Sequence, residues 1–330
     1  MQGLTVVTTL RYQGAHWEQL AAALAGAEIV RFDSPDAPGF ETALARANVA
    51  ILEKDPPARF FTHPKLRWVH VDHAGLDKSA RPEAFRPGLV VTGSAGRSAP
   101  VLAEHALFFA LALSYDFAAF HASQREHRWG VPGQEQLRGL FGRTIGIIGL
   151  GNTGRELAAR ASAFGMRVLG YRRRAGESVP HVDRLYSADA GDSIDELLRD
   201  SDFVVLALTL SDATHHLIGP RELDLIGPAG FLINMARGPI VDEGALVDAL
   251  YARRIAGAGL DTFAVEPLPA DSRLWDAPRT LITPHVTPAV PDRTARSLDI
   301  ICDNIRRFKA GEPLRNRLTE QDIYAGKRQD

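Results

Sequence analysis

Gly146-Ile147-Ile148-Gly149-Leu150-Gly151-Asn152-Thr153-Gly154 runs from an apolar strand into a G-x-G-x-x-G turn and straight on into a helix-forming segment. In a chain with 29 glycines that spacing can arise by chance, so the strand before it and the helix after it carry the specificity. Lacking side chains, Gly149 and Gly151 let the backbone turn tightly and approach an anion, whose charge is met by the exposed N–H groups at the helix start. Gly154 lets helix and strand pack closely. The bland alternative is a structural glycine turn; the context favours a pyrophosphate site.

Moving outward, a helix over Arg155 to Phe164 and a strand over Arg167 to Tyr171 lead to the position where a carboxylate usually holds the ribose diol of NAD. Arg172-Arg173-Arg174 stands there instead. A guanidinium pairs with a 2′-phosphate, so NADPH is the expected cofactor, with NAD as the second possibility. Arg172 and Arg173 are the expected phosphate ligands, and Arg174 is expected to face water.

Short β-rich runs alternate with helical ones along the whole chain: Leu4 to Thr9, Trp17 to Ala25, Glu28 to Phe32, Val49 to Leu52, Arg67 to Val71 and Leu89 to Thr92. A long apolar helix is expected from Pro100 to Phe120, followed by strands ending near Ile148, Tyr171, Leu208, Met235, Asp261 and Thr283. This pattern predicts an α/β protein with two doubly wound parallel sheets. The helix over Pro291 to Lys309 is followed by no strand, and its return to the first domain makes the domains discontinuous: 1–98 plus 289–330, and 99–288. The polar tail after Leu318 is expected to be loose.

Composition fits without deciding. The 330 residues are 45% hydrophobic and carry a net charge of −2, which gives no sign of a nucleic-acid or membrane-surface partner. The N-terminus reads as a strand and not as a secretion signal. The longest apolar run, Ala106 to Leu113, is too short to span a bilayer. One cysteine, Cys302, cannot form an internal disulfide and suits a reducing cytoplasm. It sits beside Leu298, Ile301 and Ile305 on a periodic helix, so a packing role is expected.

Ligands of open parallel sheets bind beyond the carboxyl ends of the strands, where this chain has Arg237, Asp261, Glu266 and His285. Beside a nicotinamide these suit reduction of a 2-keto acid. An imidazolium at His285 can supply the proton, and Glu266 on its far nitrogen would favour the charged ring. Arg237 offers a planar fork to a carboxylate or carbonyl. Asp261 can meet the nicotinamide carboxamide or the imidazole. Each has a bland reading alone; their joint position at successive strand ends reverses it.

The segments Asn234-Met235-Ala236-Arg237-Gly238-Pro239-Ile240-Val241-Asp242, Leu260-Asp261-Thr262-Phe263-Ala264-Val265-Glu266-Pro267 and Thr283-Pro284-His285 resemble the signatures of the D-isomer-specific 2-hydroxyacid dehydrogenases. The resemblance runs from Val69 to the segment ending at Asn316. It implies catalytic roles for Arg237, Glu266 and His285, and a Rossmann NAD(P)-binding domain beside a flavodoxin-like catalytic domain. The cofactor would touch Gly149, Gly151, Asn152, Thr153, Gly154, Arg172, Arg173, Thr209, Thr214, Ala236 and Asp261. The substrate carboxylate would meet the backbone at Ala74 and Gly75, besides Arg237. The arginine in place of the acidic residue resembles NADPH-preferring glyoxylate and hydroxypyruvate reductases, which implies a small 2-keto acid substrate. A homodimer formed through the long helix is implied too. Two departures bear on cofactor contacts: Thr209 stands where many relatives have proline, and Val286-Thr287-Pro288 follows His285. Arg97 and Trp129 are candidate pocket residues, Trp129 being equally a candidate dimer contact.

Other classes fit less well. No H-E-x-x-H occurs, and His70/His73 and His215/His216 lack supporting ligands, so no metal is expected. Gly93-Ser94-Ala95-Gly96 has the wrong spacing for a nucleophile elbow. The rival is a cofactor-responsive binding module on the same fold, against which the intact Arg237, Glu266 and His285 set argues. Formate or phosphite oxidation would ordinarily use NAD, which the arginines disfavour.

Overall fold

A computed structural model describes residues 1, 3–286 and 290–326. Thr287, Pro288, the 288/289 domain boundary and the last four residues of the tail lie outside them.

Two compact units emerge, one from 1–98 with the segment from 290 onward, the other from 99–286. The first contains strands β1 (Thr5–Thr8), β2 (Glu28–Arg31), β3 (Val49–Leu52), β4 (Trp68–Val71) and β5 (Val90–Gly93), with helices α1 (Gly14–Ala23) and α2 (Phe40–Leu44) between them. All pair in parallel in the order β2-β1-β3-β4-β5. The central strands β3 and β4 are buried at every residue, as continuous apolar runs covered on both faces must be.

The second unit holds α3 (Ala99–Ser114), α4 (Phe117–Arg125), β6 (Thr144–Ile148), α5 (Asn152–Ala163), β7 (Arg167–Arg172), β8 (Arg184–Ser187), α6 (Asp195–Asp200) and β9 (Phe203–Leu206). It continues through α7 (Pro220–Ile226), β10 (Phe231–Asn234), α8 (Glu243–Tyr251), β11 (Gly257–Leu260) and β12 (Thr280–Ile282). Its seven strands are parallel in the order β12-β11-β10-β9-β6-β7-β8. Strand order reverses at β6, so the glycine turn sits at the switch point, where crossovers leave on opposite faces and a crevice opens. Phe109 and Leu113 of α3 pack into one core with Leu157 and Ala161 of α5 and Phe203, Phe231 and Ile233 of the sheet.

The last helix, α9 (Arg293–Ala310), returns to the first unit. Its Leu298, Ile301 and Ile305 pack with Val6, Leu20 and Trp68, and Cys302 lies partly buried against that cluster. Burial pushes the Cys302 thiol up to about 11, which leaves it unreactive at neutral pH.

One expectation needs correction, and one strand escapes the sequence pattern. The helix expected from Pro100 to Phe120 is broken: α3 ends at Ser114 and α4 leaves at 64°. Asp116 takes the left-handed conformation (φ 49°), which aspartate tolerates better than most residues. The break is held by polar groups: Ser114 Oγ donates to the Arg138 carbonyl, and Arg279 Nη2 to that of Leu113 at 2.9 Å. Strand β8 went unread because an edge strand with one neighbour needs no continuous apolar run, and Arg-Leu-Tyr-Ser has none. No single helix among the described residues is long and apolar enough to cross a membrane.

Candidate active site

The carboxyl ends of adjacent parallel strands carry the candidate residues in a row. From β12 to β7 come His285, then Asp261 and Glu266, then Ala236 and Arg237, then Thr209 and Thr214, then Gly149 to Gly154, then Arg172. Five strand spacings of about 4.8 Å each make the row about 24 Å long.

Arg237 is set by Asn234, the buried last residue of β10. Asn234 Oδ1 accepts the Ala236 N–H at 3.0 Å, and its Nδ2 donates to the Arg237 carbonyl at 2.9 Å, so the chain curls back after the strand. Arg237 Nη1 donates to the Ala236 carbonyl at 2.8 Å and the side chain stays partly exposed. The loop after β11 is tied to α8, where Glu243 Oε2 accepts the Ala264 N–H at 2.9 Å.

Glu266 uses both oxygens. Oε1 accepts the Phe263 N–H at 2.9 Å and Oε2 meets His285 Nδ1 at 2.6 Å. An ionised carboxylate only accepts, so Nδ1 carries a hydrogen, and Nε2, on a side chain 43% exposed, makes no hydrogen bond among the described residues. His285 has φ 48°, a left-handed conformation that costs a non-glycine residue about 1–2 kcal/mol and persists here because both neighbours in the network hold it. The hydrogen bond to Glu266 raises the His285 pKa above its ordinary value, against burial and the charge of Arg237. Burial alone would raise the Glu266 carboxyl. The His285 and Phe263 hydrogen bonds, aided by the charges of His285 and Arg237, outweigh it and hold that carboxyl below its usual range.

Asp261 is 1% exposed, and its Oδ1 accepts both the Thr283 hydroxyl (2.6 Å) and the Val286 N–H (3.0 Å), clamping the turn that bears His285. Thr283 Oγ1 lies 3.2 Å from Nε2 of His105, a buried ring stacked on Phe109. Because the Thr283 proton goes to Asp261, His105 Nε2 must be the donor. Burial lowers the His105 pKa, with Asp261 opposing, which keeps the ring neutral. Sequence reading missed His105 and Thr283; the available signal was a histidine adjoining an apolar helical run.

At the glycine turn, Gly149 has φ 103°, and a Cβ there would lie 2.5 Å from the Ala207 carbonyl oxygen. A Cβ on Gly154 would lie 2.0 Å from the Gly149 oxygen, whereas nothing comes within 4 Å of one on Gly151. The cradle is thus closed behind Gly149 and Gly154 and open at Gly151, where Asn152 and Thr153 begin α5 with the unpaired N–H groups of a helix start. At the end of β7, Arg172 Nη2 donates to the Glu177 carbonyl at 2.7 Å, while its Nε is buried with no partner among the described residues. Arg173 and Arg174 are exposed. Thr214 Oγ1 donates to the Thr209 carbonyl at 2.8 Å and accepts the Ser211 N–H at 2.7 Å, closing the turn after β9.

Ala74 and Gly75 lie in the other unit, in the loop after β4, and their N–H groups donate to nothing among the described residues. Arg97 is no pocket residue. It is 6% exposed, with Nη1 on Asp72 Oδ1 at 2.7 Å and on Ser297 Oγ at 3.2 Å, because a buried guanidinium needs a carboxylate. Trp129 is fully exposed. Among the described residues no group of three or more His, Cys, Asp or Glu could hold a metal.

Comparison with known proteins gives one consistent result. Residues 107–287 match the family described as D-isomer specific 2-hydroxyacid dehydrogenase, NAD binding domain. A glyoxylate reductase of Korarchaeum cryptofilum is 33% identical over 81% of this chain and 80% of its own length. A D-isomer specific 2-hydroxyacid dehydrogenase from Xanthobacter autotrophicus, solved with NADPH and MES, superposes with a TM-score of 0.80 at 31% identity, covering 97% of this chain and 99% of that one. An NADPH-dependent glyoxylate/hydroxypyruvate reductase from Sinorhizobium meliloti, solved with NADP and sulfate, gives 0.79 at 25% identity over 97% and 100%.

Proposed function

The chain belongs to the D-isomer-specific 2-hydroxyacid dehydrogenase family, and from that premise we propose that it reduces a small 2-keto acid of the glyoxylate or hydroxypyruvate kind to the D-2-hydroxy acid with NADPH. It is an oxidoreductase with a nicotinamide-dinucleotide domain. One observation carries the finer reading: His285 is held protonated on Nδ1 by Glu266 at 2.6 Å, with Nε2 unbonded among the described residues, on the same sheet edge as the glycine cradle.

The residues fit the cofactor. Gly149 and Gly154 leave room only for backbone, Gly151 is open, and Arg172 keeps a buried N–H without a partner among the described residues, as a 2′-phosphate ligand would. A bound nicotinamide supplies the hydride. His285 then donates its Nε2 proton to the carbonyl oxygen as negative charge develops there, and Glu266 stabilises the ring that carries that proton. Arg237 offers its guanidinium to the substrate carboxylate or carbonyl. In the first unit, the Ala74 and Gly75 N–H groups, which donate to nothing among the described residues, are backbone donors suited to a carboxylate.

The raised His285 pKa sets the pH dependence. The ring keeps its proton below the raised value and loses it above, so the rate of reduction should fall as pH rises through that value. In Glu266→Gln the falling limb of kcat/KM should move down toward the ordinary imidazole value of 6.5. A limb that stays in place would remove Glu266 from this role.

Arg172→Asp should turn the preference from NADPH toward NADH, since a carboxylate repels a 2′-phosphate and accepts from a free diol. An unchanged ratio of the two kcat/KM values would place the phosphate elsewhere. The proposal as a whole is tested by following NADPH oxidation with glyoxylate, hydroxypyruvate, pyruvate and phenylpyruvate. Turnover with a small member supports it; nucleotide binding with no turnover on any of them favours the binding module.

A further inference from the structure

Beneath the Ala74–Gly75 loop the first unit buries a directed chain of hydrogen bonds. Trp68 Nε1 donates to Thr92 Oγ1 (2.9 Å), Thr92 Oγ1 meets His70 Nδ1 (2.9 Å), His70 Nε2 meets Ser94 Oγ (3.1 Å), and Ser94 Oγ donates to Asp72 Oδ1 (2.6 Å). Its direction follows from valence. Ser94 has one proton and gives it to a carboxylate, so His70 Nε2 must donate to Ser94. The neutral ring then accepts on Nδ1 from Thr92, whose lone pair takes the indole N–H. His70 is fully buried, and burial lowers its pKa to about 4, so the ring is neutral as the chain requires. Asp72 collects three further donations: Arg97 Nη1 on Oδ1 (2.7 Å), the same nitrogen on its carbonyl, and the Tyr12 hydroxyl on Oδ2 (3.0 Å).

Ser94 bolts the loop twice, because its N–H also donates to the His73 carbonyl at 2.7 Å. Gly93 before it admits this approach: a Cβ there would lie 2.8 Å from that same carbonyl oxygen. From the turn's other side, Asn316 Nδ2 donates to the carbonyls of Gly93 (3.1 Å) and Ala95 (2.9 Å). The two residues directly after the anchored Asp72 and His73 are Ala74 and Gly75, whose N–H groups donate to nothing among the described residues.

We infer that Ser94, with His70 and Asp72 behind it, is a positioning residue for the substrate carboxylate, fixing the loop so that two backbone N–H groups stay aimed at one anion. The inference rests on the 2-keto acid reading above. A carboxylate keeps its charge from ground state to transition state, so donors that hold it bind both states equally. Weakening them raises KM and leaves kcat alone.

The test is steady-state kinetics of full-length Ser94→Ala with glyoxylate and hydroxypyruvate, alongside NADPH affinity by fluorescence titration. KM for the keto acid should rise about tenfold, the scale of one lost charge-assisted hydrogen bond, with kcat and NADPH affinity within about twofold of the parent. Tyr12→Phe keeps the ring and removes the hydroxyl that donates to Asp72 and also meets Ser297, so it serves if Ser94→Ala does not fold, with a KM rise of about threefold. Unchanged KM, or a loss confined to kcat, overturns the inference while the parent's activity leaves the proposed function standing. A parent inactive on every 2-keto acid removes both.

Discussion

His285→Gln should lower turnover by at least about a hundredfold, equivalent to about 2.7 kcal/mol of transition-state stabilisation. Glutamine can accept the same backbone conformation and still donate an amide hydrogen to Glu266, so the loop held by Asp261 through Val286 should survive. What it lacks is a proton that can leave. The substitution therefore removes transfer and keeps much of the binding, and the loss should fall on kcat more than on KM. NADPH affinity should change little, because the glycine cradle and Arg172 belong to other strand ends. Near-normal turnover would take His285 out of the mechanism.

Arg237→Lys should reduce kcat/KM by about a hundredfold or more although the positive charge remains. One guanidinium nitrogen is committed to the Ala236 carbonyl at 2.8 Å, which ties the side chain to its own loop. Lysine has a single nitrogen on a flexible stem and cannot anchor itself and grip a planar carboxylate together. The charge of Arg237 acts to lower the His285 pKa, so a lysine that keeps the charge should leave the pH limb in place while activity falls. This pairing of results separates geometry from charge. Full activity in the lysine variant would show that the fork is unnecessary.

Much of this arrangement is readable in the sequence, for a physical reason. Strands buried on both faces must be continuous apolar runs, so β3, β6 and β9 announce themselves, and parallel strands deliver all their carboxyl ends to one edge. Residues as far apart in sequence as Arg172 and His285 can therefore be assigned to a common edge before any coordinates are known. What cannot be read is whatever depends on side-chain valence across elements. The kink after Ser114 rests on bonds to Arg138 and Arg279, which no local pattern reveals. The burial of Arg97 depends on Asp72 and on Ser297, two hundred residues away. His105, Thr283 and the His70 chain are legible only once strands are in register, as in the pairing of His70 with Thr92.

The central claim is that this sheet edge passes a hydride to the carbonyl carbon of a 2-keto acid, with the proton coming from His285. The most direct measurement uses NADPH carrying deuterium at both C4 positions and hydroxypyruvate or pyruvate as acceptor, with mass and chiral analysis of the product. The account predicts one deuterium at C2 of a D-2-hydroxy acid for each NADPH oxidised. Product without the label, or product of L configuration, would contradict it.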